Sequence, residues 1–262
     1  MNYLRLYRYY FAKSVKARLS YRLDAVIGIL GFLITNAILF STLYLTISSI
    51  PSLNGWNINH LGFLYGFYLI PKSIDHMLSD NIWQMGTGGI TNGMFDKYLV
   101  RPVNALFQMI AETVQLEGLG EFILGVVLLA IFTPQAGIIW NFETILTVIM
   151  TSIFGMILFF SIKLMFGSMA FWTKRSIQIM SMVYNVSDFS RYPVEIFGNV
   201  IKSILLYVVP FSLVLFRPIE AIIKGENVLF SLLGSAIGSI VFLLAALLVY
   251  REGLKKYESA GS

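Results

Sequence analysis

The run LDAVIGILGFLITNAILFSTLYLTI, residues 23–47, carries one formal charge, Asp24, and is otherwise apolar or weakly polar. As a helix it would extend about 37 Å at 1.5 Å per residue, enough for a hydrocarbon core about 30 Å thick. It therefore reads as a membrane span. On its C-terminal side, Ser48-Ser49-Ile50-Pro51-Ser52-Leu53-Asn54-Gly55-Trp56 supplies turn residues and an interfacial aromatic without a Lys or Arg. On its N-terminal side, residues 3–21 alternate apolar and basic residues at roughly helical spacing, with Leu4, Tyr7, Phe11 and Val15 near one face.

Composition extends that reading to the whole chain. The 262 residues are 57% hydrophobic and 13% charged, with a mean hydropathy of +0.75, against about 45–50% apolar and about 25% charged for a soluble chain. At about 20 residues per crossing there is room for about six spans and short loops. The net charge of +5 does not point to nucleic acid, because Arg5, Arg8, Lys13, Lys16, Arg18 and Arg22 crowd into the first 22 positions among Tyr and Leu. Such a segment suits an interfacial helix on anionic lipid. The apolar stretch starts only near Leu23 and lacks an Ala-x-Ala exit, so no cleavable signal peptide is expected. With no cysteine, disulfides and thiolate metal sites are ruled out.

A second, less pure span covers residues 60–78, with Lys72, Asp75 and His76 toward its far end, and a polar stretch fills residues 79–104. Spans three and four are expected over residues 107–132 and 140–172, joined by the Pro134-Gln135-Ala136-Gly137 turn, which lacks Lys and Arg. Lys174 and Arg175 follow the fourth span; Arg251, Lys255 and Lys256 follow a last one over residues 228–250. The positive-inside rule then places both termini in the cytoplasm. Residues 176–223 admit two placements of span five. Hydropathy favours residues 196–216, but Pro193, Lys202 and Pro210 weaken a straight crossing there. The other places it at residues 176–190 and makes residues 194–216 an outer re-entrant hairpin. No repeat is evident.

Gly86-Thr87-Gly88-Gly89-Ile90-Thr91-Asn92-Gly93 lacks the Gly-Lys-Ser/Thr ending of a phosphate loop and does not follow a strand, which argues against it as a nucleotide site. Gly93-Met94-Phe95-Asp96-Lys97-Tyr98-Leu99-Val100-Arg101-Pro102-Val103 follows as an amphipathic turn bounded by Gly and Pro, either a linker on the membrane or a helix docking into a cytoplasmic partner. Intramembrane charges are costly enough to be functional suspects. Glu112, Glu117 and Glu121 are spaced for one broad helix face, where they could meet a cationic substrate or pair with Lys163, Arg or Ser groups. Lys72, Asp75 and His76 share a face on which Lys72 could pair with Asp75 or His76, or a proton could move. Gly62-x-x-x-Gly66 and Gly234-x-x-x-Gly238 permit close helix packing, within or between chains. With His60 and His76 the only histidines and no hydrolase or metal motif, catalysis by this chain is not expected.

Taken in order, Tyr21-Arg22-Leu23-Asp24, the Gly93 to Pro102 loop, Phe171-Trp172-Thr173, Arg191-Tyr192-Pro193-Val194, Val209-Pro210-Phe211, Arg217-Pro218 and the closing Gly253-Leu254-Lys255-Lys256-Tyr257-Glu258-Ser259-Ala260-Gly261-Ser262 form a distinctive set. Over essentially its whole length the chain resembles the permease subunits of ABC transporters of the ABC-2 exporter class, bacterial branch with paired permeases. The resemblance implies an all-α integral membrane fold in a single domain, residues 1–262. Its parts would be an amphipathic elbow helix at 1–22, a six-span bundle at 23–250 and a cytoplasmic tail at 251–262. It also implies a cytoplasmic coupling helix between spans two and three, span five at residues 176–190 and a re-entrant hairpin before the last span.

On that resemblance the chain is a non-catalytic permease of the cell (inner or cytoplasmic) membrane, pairing with an identical or paralogous permease. ATP and Mg would be used by two copies of a separate ATPase, with no cofactor or metal bound here. Gly93, Phe95, Asp96, Lys97, Leu99, Arg101 and Pro102 would contact that ATPase. Glu112, Glu117 and Glu121 would face the path, while Arg5, Arg8, Lys13, Lys16 and Arg18 would lie on the membrane surface. The rival expectations are an ion-gradient-driven secondary transporter or channel, and a membrane scaffold or lipid-modifying subunit.

Overall fold

In a computed structural model, residues 3–48 and 55–258 are described, and these are helical with no strands. The turn residues Ser49, Ile50, Pro51, Ser52, Leu53 and Asn54, and the closing Ser259, Ala260, Gly261 and Ser262, lie outside the described residues. In chain order the helices are α1 (Tyr3–Ser20), α2 (Arg22–Ser48), α3 (Ile58–Ser79), α4 (Asp96–Leu99), α5 (Ala105–Glu112), α6 (Gly118–Gln135), α7 (Phe142–Ser168), α8 (Ala170–Thr173), α9 (Ile177–Asn185), α10 (Asn199–Ser203), α11 (Arg217–Lys224) and α12 (Val228–Leu254). Asn57, Asn104, Asn141 and Asn227 cap α3, α5, α7 and α12, each side chain accepting from a backbone N–H of the first turn.

Among the described residues, four helices are long and apolar enough to cross a membrane: α2, α6, the continuous α7–α8 stretch Phe142–Thr173, and α12. A fifth arises only if the pair Asn199–Val208 and Ser212–Lys224, bent by 79°, is counted as one span. The bend falls on Val209-Pro210-Phe211, where Pro210 cannot donate to a helical hydrogen bond. The expected span at residues 176–190 is a nine-residue α9 continued as a 3₁₀ segment, Val186–Arg191, too short for a full apolar crossing.

α3 sits at the centre, with thirteen of its 22 residues buried. Its contact with α6 is backbone against backbone. A Cβ on Gly66 would meet the Gly125 carbonyl oxygen at 3.1 Å and the Leu129 nitrogen at 3.0 Å, and one on Gly62 would meet the Phe132 ring at 2.5 Å. Gly234 and Gly238 similarly face Leu213 and Val214 of the bent pair. Both Gly-x-x-x-Gly faces are thus occupied within this chain. A buried aromatic core built from α3, α7 and the bent pair includes Tyr65, Tyr68, Phe159, Phe211 and Phe216.

The bundle has two chemically distinct ends. At one, Trp56 packs on Phe216 at 5.4 Å with the Lys224 ammonium over its ring at 5.7 Å, and Asn59 donates to the Gln135 carbonyl at 3.3 Å. At the other, α1 lies across α5 and residues 113–117, beside α4 and the C-terminal segment. This second end collects Arg5, Arg8, Lys13, Lys16, Arg18, Arg22, Lys97, Arg101, Lys174, Arg175, Arg251, Lys255 and Lys256, and is here termed the basic end.

α1 docks on the protein through one face. Tyr3 and Tyr7 pack on Phe107, Ser14 is buried, and Arg18 reaches Glu117, so Tyr3, Tyr7, Tyr10, Ser14 and Arg18 face the protein. Leu4 and Phe11 are exposed.

The expected third span over residues 107–132 is broken. Thr113 is extended, the Val114 N–H donates to Ser14 Oγ at 2.8 Å and the Gln115 N–H to the Met77 carbonyl at 3.0 Å. These donors find partners outside the helix, which lets the chain turn there.

Candidate functional site

The first candidate is the loop at the basic end. Gly93, at φ +69°, makes the turn that leads into α4, a single turn rather than an extended amphipathic helix. Phe95 is buried against Phe171 (5.4 Å), Tyr257 (5.3 Å) and Tyr98 (5.8 Å). The Tyr257 hydroxyl donates to Asp96 Oδ1 at 2.6 Å. Burial, the hydrogen bond to Asp96 and the charge of Asp96 push that phenol well up.

On the other side of the loop, Lys97 pairs with Glu112 at 2.7 Å and the Tyr98 hydroxyl donates to the same carboxylate. Burial opposes the Glu112 charge, but the hydrogen bonds from Lys97 and Tyr98, with the charges of Lys97 and Arg101, outweigh it and hold the carboxyl below its ordinary range. Gln108 Nε2 donates to the Tyr98 and Val103 carbonyls at 3.0 and 2.7 Å, fixing the loop backbone on α5. What remains exposed is Met94 and the contiguous Leu99-Val100-Arg101-Pro102. Of the residues expected to meet a partner, Leu99, Arg101 and Pro102 are therefore outward, Phe95 is inward, and Asp96 and Lys97 are engaged within the chain. Sequence reasoning missed Met94, Val100 and Tyr257; the apolar exposure of the first two depends on which face α4 turns inward.

The three glutamates do not share a helix face, because the break at 113–117 separates them. Glu112 belongs to the loop clasp. Glu117 pairs with Arg18 at 3.1 Å, and Arg18 also donates to Gln115. Glu121 is buried, accepting from Asn36 Nδ2 at 3.2 Å and facing His76 Nδ1 at 3.2 Å. None of the three meets Lys163.

Lys163 instead belongs to the second candidate, a charge network inside the bundle. Its ammonium, fully buried, lies 2.8 Å from both Asp75 and Asp80. Asp75 also accepts from Ser79 at 2.5 Å and Tyr184 at 3.3 Å. His76 faces Asp80 at 3.6 Å through Nε2, which links this set to Glu121. Lys72 pairs with neither Asp75 nor His76. It lies 3.2 Å from Asp188, which also holds Arg191 at 2.5 Å and the Tyr68 hydroxyl at 2.8 Å. The i,i+3 and i,i+4 spacing on α3 thus sends each group to a different neighbouring element.

The profile of a protein family described as ABC-2 family transporter protein matches residues 30–261. The chain belongs to the ABC-2 transporter family. A search of curated proteins found no match. ABC-2 proteins are membrane components of transporters, and the apolar helices make this member a multi-pass membrane protein. The match begins at residue 30, so it covers the loop, the network and the bent pair but leaves α1 outside. In this ABC-2 chain the loop offers an apolar and cationic outer surface on a base bonded to α5, to the C-terminal segment and to the Phe171 turn. The network joins α3, α7 and α6 by ionic contacts and α9 by the Tyr184 hydrogen bond.

Proposed function

We propose that the chain is the membrane-spanning permease subunit of an ATP-driven ABC exporter, coupled to a separate cytoplasmic ATPase present in two copies that consumes ATP and Mg. It would form the path with a second permease, identical or paralogous, in the cell (inner or cytoplasmic) membrane. The basic end is then cytoplasmic, with both termini on that side. Six crossings are α2, α3, α6, α7 with α8, α9 with its 3₁₀ extension, and α12; the bent pair is re-entrant from the opposite side. α1 is the elbow helix. α3 can carry Lys72, Asp75 and His76 because protein rather than lipid surrounds much of its length, whereas α9 with its extension is apolar but short, so that crossing would span less than the full hydrocarbon thickness.

The observation that carries this reading is the outward Leu99-Val100-Arg101-Pro102 surface on a loop bonded to several helices at its base. A push from an ATPase on that surface passes through Lys97 and Tyr98 to Glu112 on α5, and through Asp96 to Tyr257 beyond α12. Rigid links of this kind convert a local displacement into a change of bundle packing. Glu112 and Glu117 are assigned to holding the loop and α1, which leaves Glu121 as the glutamate for the path.

Co-expression of the Leu99→Asp/Val100→Asp chain with its cognate ATPase tests it. Membrane insertion is expected to persist while ATPase recovery on purification falls at least about tenfold, as expected when apolar contacts at an interface centre are replaced by charge. Unchanged recovery and transport would remove the coupling role. The buried network favours one other reading, an ion-gradient-driven carrier. ATP-independent flux through liposomes holding this chain alone would decide for it.

A further inference from the structure

Between α1 and the loop lies a cleft of about 370 Å³ walled by Tyr10, Lys13 and Ala17 on one side and Arg101 and Thr113 on the other, with Arg18 and Glu112 at its floor. The two floor charges are already spent: Arg18 on Glu117 and Gln115, Glu112 on Lys97 and Tyr98. Lys13 and Arg101 make no salt bridge among the described residues; the charge of Arg101 is felt by Glu112 across the cleft, and its Nη1 only grazes the Tyr10 hydroxyl at 3.5 Å. The cleft therefore presents an ammonium and a guanidinium from two separate elements, with a phenol between them, and a net positive charge. A planar guanidinium beside an ammonium is suited to phosphate oxygens.

We infer that this cleft binds the phosphate of an anionic membrane lipid, whose headgroup bridges α1 to the loop. The inference rests on the membrane reading above for the depth of α1. On the far side of α1 from Lys13, the exposed Leu4, Phe11 and Leu19 suit the acyl boundary, which leaves Lys13 on the headgroup side. A bound headgroup would fasten Arg101, and so the outer surface of the loop, to the elbow helix. Lipid charge would then control how far the loop can move.

The test titrates the purified chain in neutral detergent with phosphatidylglycerol, phosphatidylcholine or inorganic phosphate, read by native mass spectrometry. Phosphatidylglycerol is expected to bind in preference to phosphatidylcholine. Lys13→Gln/Arg101→Gln is expected to weaken it at least about tenfold, because each lost basic residue removes a favourable contact with the anionic head. Lys255→Gln/Lys256→Gln removes the same charge from the basic end away from α1 and should cost less than about threefold; Arg101→Lys should recover part of the loss. Both sites are exposed, and circular dichroism checks that the variants stay folded. Equal losses in the two double variants would overturn the site, leaving only diffuse surface attraction. Displacement of the lipid by equimolar inorganic phosphate would overturn the lipid assignment. ATPase co-purification by a chain with no lipid preference would sink the cleft while the exporter reading stood.

Discussion

α3 and α12 are both helices of more than twenty residues, yet they invert the usual relation between greasiness and burial. α12 holds only Arg251 and Glu252 as charges, at its last turn, and buries six of its 27 residues. α3 carries Lys72, Asp75 and His76 and buries thirteen of 22. In a bilayer the outward face must be apolar because nothing there satisfies a polar group, whereas a helix enclosed by others can bring its polar side chains to partners. Burial inside this protein is where the charges are, and lipid exposure is where the hydrocarbon is.

The largest effect should come from breaking the enclosed charge. Lys163→Met leaves Asp75 and Asp80 facing each other without their shared cation, and a loss of about 3–5 kcal/mol of stability is expected. Lys163→Met with Asp75→Asn should recover much of it, since removing both partners leaves less uncompensated charge. Thermal unfolding in detergent checks both, and a single variant as stable as the parent would show that the network is not an enclosed ion pair.

A somewhat smaller penalty belongs to the opposite substitution. Val241 is exposed midway along α12; Val241→Arg should make insertion of that helix less favourable by about 2.5–3.5 kcal/mol, read by glycosylation mapping. Insertion unchanged from the parent would mean that α12 faces water or a polar partner there.

The smallest effect lies where water reaches. The Glu112 carboxyl is held below its ordinary value, so its pairing stabilises the loop above the ordinary carboxylate range and is lost as pH falls through the lowered folded value. Being partly solvated, the pair should contribute less than about 1 kcal/mol. Hydrogen-exchange protection in residues 96–99, taken relative to the intrinsic rate at each pH, should fall on acidification in the parent, and Glu112→Gln should remove that dependence. A parent whose protection is unchanged by acid would show the pair to be idle.

What the sequence disclosed follows from the range of the interactions involved. α2, the α7–α8 stretch and α12 are legible because a long apolar run needs no knowledge of neighbours. α1 is legible as a basic amphipathic helix, but which face docks is not, since that depends on Phe107. The break at 113–117 is marked only by Gly118 and Gly120 just beyond it, which read equally as close-packing glycines within a span; its backbone donors are taken by Ser14 and Met77, both distant in the chain. The same applies to the charges: the sequence marks Lys72, Asp75 and His76 as anomalous, and only the fold supplies Asp188, Lys163 and Glu121 as their partners. The loop at Phe95 was visible from its Gly and Pro limits, but the inward turn of Asp96 rests on Tyr257, near the other end of the chain.

The seam between α3 and α6 has a mechanical consequence. Two helices separated by side chains can ratchet, one row of knobs stepping past the next, but main chain pressed on main chain through Gly66 and Gly125 offers no teeth to step over. A step of one of these helices along the other would drive main chain into main chain at Gly66 and Gly125, so the pair is built to move as a single plank, with its looser edges at α2 and at α7.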